Sequence, residues 1–81
     1  MKITLKEYFA LPFQEQLDIV LSIGCYIQSS SGKERQEILY SVDRFFVELH
    51  FDYSLNKINN IIAFDSGHIL NKYSKQLPRI L

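Results

Sequence analysis

The 81-residue chain contains one cysteine, two prolines, three glycines and no tryptophan. A lone Cys25 cannot close an internal disulfide, which excludes a bridge-stapled secreted scaffold and points to a reducing compartment. An excess of one charge is also missing, since nine basic and nine acidic side chains cancel. Nucleic-acid binders draw most of their non-specific affinity from surplus positive charge, so a neutral chain argues against that class. Long hydrophobic runs are absent as well. The longest uncharged stretch, residues 19–32, is too short and too rich in Ser and Gln to span a bilayer. Lys2, Lys6 and Glu7 interrupt any apolar segment of the kind a signal peptide requires. The expectation is a cytoplasmic protein with no membrane partner.

What is present is an ordinary globular composition, 47% apolar and 22% charged. Residues 1–81 are read as a single domain, with no repeat, linker or low-complexity segment. A domain this small buries a low fraction of its surface, so association with a copy or a partner would stabilise it.

Thr4-Leu5-Lys6-Glu7 matches a capping box and predicts a helix beginning at Leu5. Pro12 separates this opening turn from a second helix. There Phe13, Leu17, Val20 and Leu21 recur at helical spacing, and Gly24 is read as a stop with positive φ. Cys25 to Gln28 precede a polar segment, residues 29–34, read as a hairpin loop. Cys25 itself is expected as a small buried thiol. The apolar stretch Ile38 to Val42 forms the next strand. A tight turn at Val42-Asp43 would suit the β-branched Val42 poorly, so a longer or bulged turn is expected there. Asn56 suits the left-handed position of a second hairpin.

Residues 44–53 read as a central two-faced strand. Phe45, Val47, Leu49, Phe51 and Tyr53 share one side, and Arg44, Phe46, Glu48, His50 and Asp52 share the other. A fourth strand at residues 57–65 places Ile58, Ile62 and Phe64 on one side and Asn59, Ile61 and Ala63 on the other. Asp65-Ser66-Gly67 offers caps for a C-terminal helix with a stripe of Ile69, Leu70, Tyr73 and Leu77, closed by Pro78. Lys72, Lys75 and Arg79 fall at the end of that helix, where cations face its dipole. The predicted class is α+β: an antiparallel β-meander of three to four strands, with the N-terminal helices and the C-terminal helix packed on one face.

Glu48, His50 and Asp52 lie at strand spacing, as ligands of a divalent metal or an acid–base pair would, although solvent exposure alone also produces such alternation. Cys25 has no histidine near it in sequence, and residues 29–33 lack the phosphate-loop pattern. Most aromatics are absorbed by the core face. Phe46, Ile61, Arg44, Glu48 and His50 are then the candidate surface. The favoured function is a non-enzymatic interaction or self-associating module using this open sheet face or a sheet edge. It implies a protein partner or homodimer, with no cofactor, metal or small-molecule substrate. The alternatives are a small metal-dependent or acid–base enzyme built on Glu48, His50 and Asp52 and, more weakly, a nucleic-acid binder.

Leu11-Pro12-Phe13-x-x-Gln16, Gly24-Cys25-Tyr26, Leu39-Tyr40-x-Val42-Asp43-x-Phe45-Phe46-Val47-Glu48, Asp52-Tyr53 and Asn56-Lys57-Ile58 together resemble a set of small uncharacterised bacterial proteins of Bacteroidetes type. The resemblance covers nearly the whole chain. It implies an α+β fold and a small accessory role, and it carries over no functional residues.

Overall fold

Residues 2–65 are described by a computed structural model, and the expected C-terminal helix lies outside them. Two short helices, α1 (Leu5–Phe9) and α2 (Phe13–Ile23), precede four strands: β1 (Cys25–Ser31), β2 (Arg35–Val42), β3 (Phe45–Asp52) and β4 (Lys57–Phe64). The strands form one antiparallel sheet in the order β1-β2-β3-β4, the meander that short connections impose. No helix among the described residues is long and apolar enough to cross a membrane.

The start of α1 follows the capping box. The Thr4 hydroxyl accepts from the Glu7 amide at 3.1 Å, and the Glu7 carboxylate accepts from the Thr4 amide at 2.9 Å. Pro12 then breaks the helix, and Gln16 bridges the break. Its side-chain amide donates to the carbonyls of Tyr8 and Leu11 at 2.9 and 3.1 Å, two of the acceptors that a helix end leaves over. In return the Tyr8 hydroxyl donates to the Gln16 carbonyl at 2.8 Å.

Tyr8 is fully buried and its ring packs against Phe45 at 5.2 Å between centroids. Around it Ile3, Val20, Val42, Phe45, Val47 and Leu49 form the principal core, between the helices and one face of the sheet. Phe45, Val47 and Leu49 of β3 thus face the helices as the alternation predicts. Tyr53 leaves the strand for the following turn, where it contacts the ring of Phe51 at 6.2 Å.

The α2 stripe is displaced from the one read in sequence. Leu17, Ile19, Val20 and Ile23 meet the core, whereas Leu21 is 61% exposed. Gly24 also has a different role, since its φ of −69° is open to any residue. Its requirement is space: a Cβ there would stand 2.4 Å from the Val20 carbonyl oxygen and 3.3 Å from the ring of Tyr40. The chain therefore leaves α2 for β1 in close contact with the last turn of the helix and with the Tyr40 ring of β2.

Both hairpin turns nearest the core use left-handed backbone at a residue that tolerates it. Asp43 has φ 51° and Asn56 has φ 53°. The first turn consists of Asp43 and Arg44, so Val42 pairs with Phe45 as an ordinary strand residue and no bulged turn is needed. The Asp43 carboxylate also accepts from the Ile3 amide at 3.2 Å, tying the N-terminus to the sheet. Residues 29–31, expected in a loop, instead extend β1 by pairing with Gln36, Glu37 and Ile38.

Two predictions follow from this packing. Gly24→Ala should lower unfolding stability by about 1–3 kcal/mol, as forced overpacking does, read as a lower urea midpoint. Burial pushes the Tyr8 hydroxyl up from 10.0 to about 12. A raised acid stabilises the fold fully below its unfolded value and loses that contribution as pH rises through the folded one. Stability should therefore fall between pH 10 and about 12, and Tyr8→Phe should flatten that part of the profile.

Candidate functional site

The even-numbered side of β3 carries the unexpected chemistry. Register brings Phe46 opposite Ser41 and Phe64, Glu48 opposite Leu39 and Ile62, and His50 opposite Glu37 and Asn60. Leu39 and Phe64 are buried on this side, with Ile27, Phe46 and Ile62 packed against them. The rings of Phe46 and Phe64 stack at 5.7 Å. A second apolar cluster therefore lies on the face opposite the helices.

Within this setting Glu48 and His50 are 1% and 3% exposed, so the solvent-facing reading of their alternation does not hold. Residues two apart on a strand project to the same side, and here the imidazole Nε2 meets the Glu48 Oε1 at 2.5 Å. The other ring nitrogen, Nδ1, is buried without a hydrogen-bond partner among the described residues. Glu37 joins them from β2, and one ligand atom from each of Glu37, Glu48 and His50 lies within 4.8 Å of the others. Arg35 holds the outer end of the group, its guanidinium reaching the Glu37 Oε2 at 3.0 Å. Glu37 also lines a surface groove of about 570 Å³ with Ser30, Ser31, Lys33 and Arg35, so the cluster borders solvent on that side.

Asp52, the third member expected from strand spacing, is not part of this group. Its Oδ1 accepts from the Ser54 hydroxyl at 2.8 Å and from the amides of Ser54 and Leu55 at 2.9 and 3.1 Å. Its Oδ2 accepts from the side-chain amide of Asn59 at 3.2 Å. Asp52 thus organises the β3–β4 turn, and the Ser54 hydroxyl, then the Leu55 and Ser54 amides, hold its carboxyl below the usual range.

The remaining candidates separate. Phe46 stays on the sheet face with Glu48 and His50, only partly covered. Ile61 pairs with Leu49 and packs into the helix-side core, which corrects its assignment beside Phe46. The cause is a bulge: His50 faces Asn60 and Phe51 faces Ile58, so Asn59 is the extra residue and Ile58 turns to the helix side with Ile61. Arg44 belongs to the exposed turn preceding β3. Cys25, expected as a buried thiol, is exposed at the start of edge strand β1.

Glu37 was not singled out in the sequence, although a signal for it exists. With a two-residue turn at Asp43-Arg44, counting equally outwards from Val42 and Phe45 reaches Glu37 opposite His50. A longer turn conceals that pairing. No known protein family, curated protein or solved structure matches this chain, and no comparison assigns it to an enzyme family.

The buried pair makes a thermodynamic prediction under chelating conditions. Glu48→Leu removes the partner of a buried imidazole and should cost about 1–3 kcal/mol, whereas replacing Glu48 and His50 together by Leu should recover much of that loss. Urea unfolding of the wild type, both single variants and the double variant measures the coupling; strictly additive effects would show that the pair is energetically inert.

Proposed function

We propose that the protein is a non-enzymatic self-associating module and that its contact surface is an apolar groove between the start of α2 and the β3–β4 turn. The observation that carries this reading is the exposure of two large apolar side chains at one place: Phe13 is 44% and Leu55 54% exposed. They flank a groove of about 590 Å³ that Leu17 and Ile58 also line. Exposed apolar side chains gathered at a depression mark protein contact surfaces more often than scattered single ones do. A second copy suits this surface, because a twofold contact can place the projecting side chains of each copy in the groove of the other.

Pairing through a sheet edge has less support. Both edge strands are bulged, β1 around Ile27 and β4 around Asn59, and bulges twist an edge away from continued ladder formation. The open-face surface around Phe46 also has less to offer a partner than the alternation alone implied, because Leu39, Glu48, His50 and Phe64 on that side are buried. An acid–base enzyme would have to work without Asp52, which the turn engages. Nucleic-acid binding keeps the same weakness as before, a net charge of zero.

Sedimentation velocity over a concentration series tests the self-association directly. The wild-type chain should shift from monomer to dimer, and Phe13→Asp or Leu55→Asp should weaken the dimer by on the order of tenfold or more while leaving the circular dichroism spectrum unchanged. A wild-type chain that sediments as a monomer throughout the series removes this reading.

A further inference from the structure

We infer that Glu37, Glu48 and His50 form a binding site for a divalent transition-metal ion of the zinc type, bridging β2 and β3 on the face opposite the helices. This goes beyond the self-association proposed above and does not depend on it.

The donor set comes first. Two carboxylates and an imidazole are ligands that zinc and its neighbours accept, whereas calcium and magnesium sites use oxygen donors. With the carboxylates ionised and the imidazole neutral, the three side chains carry a formal charge of minus two, equal and opposite to that of a divalent cation. Distance is the second consideration. The ligand atoms lie within 4.8 Å of one another, and bond lengths near 2.1 Å around a tetrahedral ion would place them about 3.4 Å apart. Adjustment of the side chains is what an ion requires: the Glu48–His50 contact, 2.5 Å here, has to open to that spacing, and wider separations have to close.

The buried, incompletely satisfied imidazole is an independent pointer. His50 is 3% exposed, and Nδ1 has no hydrogen-bond partner among the described residues. A buried imidazole normally employs both nitrogens, because an unpaired polar atom away from water is costly. Nε2 is the nitrogen turned to the Glu48 carboxylate, so it is the one that an ion shared by all three side chains would take, with the ring proton moved to Nδ1.

Access and support complete the arrangement. Glu37 lines the groove formed with Ser30, Ser31, Lys33 and Arg35, which gives an ion a route from solvent. Arg35 contacts the Glu37 Oε2 through both Nη2 at 3.0 Å and Nε at 3.1 Å, so it can fix the carboxylate in place as an outer partner of the site. The pairing of Glu37 with His50, and of Leu39 with Glu48, makes the site a clamp across the central hairpin.

The test uses the full chain carrying Cys25→Ser and His68→Gln, which removes the single thiol and the second imidazole that could take up zinc. Zinc chloride is titrated while the side-chain nitrogens of His50 are followed by NMR and the melting temperature is recorded. One His50 nitrogen should shift with saturation at one equivalent, and the melting temperature should rise. Glu37→Gln should weaken zinc binding by on the order of tenfold or more, and Arg35→Ala should weaken it by a smaller factor. Unshifted His50 nitrogens at saturating zinc overturn the proposal, as does affinity unchanged by Glu37→Gln. Should Glu37→Gln fail to fold, the His50 nitrogens of the chain that retains all three ligands decide the question alone.

Discussion

The register of the β2–β3 hairpin governs the rest of this structure. Asp43 adopts a left-handed conformation, which lets Asp43 and Arg44 close the hairpin in two residues and pairs Val42 with Phe45. Every facing pair then follows. Tyr40 lies beside Val47 under the helices, Leu39 beside Glu48 on the opposite face, and Glu37 beside His50. Because side chains alternate with a period of two, a slip of one residue would send Phe45, Val47 and Leu49 away from Tyr8 and bring glutamate and histidine beneath the helices. The burial of those apolar residues holds the register, and the register assembles the polar cluster.

The two faces of the sheet consequently perform different physical tasks. The helix-side face is an apolar core fixed at one end by the reciprocal Tyr8 and Gln16 hydrogen bonds, which compensate for the helix break at Pro12. The other face combines a smaller apolar cluster with an ionisable group of three side chains, two of them almost wholly buried. Burying such groups costs free energy unless they are paired, so their position on the central strand makes them the most informative feature of the chain. The bulges at Ile27 and Asn59 let the edge strands follow this central pair without continuing its regular ladder.

Much of the fold was legible because it follows from local chemistry. The Thr4 and Glu7 capping box, the break at Pro12, the left-handed Asn56 and the core side of β3 all result from interactions among near neighbours. Less was legible where a distant contact decided the outcome. Gly24 looked like a positive-φ stop, yet it is excluded from bearing a side chain by the Val20 carbonyl and Tyr40. Ile61 looked like a companion of Phe46, yet one extra residue at Asn59 turns Ile58 and Ile61 to the same side. Asp52 shared the strand spacing of Glu48 and His50, yet the amides and hydroxyl of its own turn engage it first.

By itself the sequence determined the class of elements and the inward face of the central strand, because capping, turn preference and alternation act over a few residues. Tertiary structure decided that Glu48 and His50 are buried and that Glu37, eleven residues before Glu48, stands with them. Strand alternation identifies side chains that share a face. Only the pairing of one strand with the next determines which residues from another part of the chain complete a site.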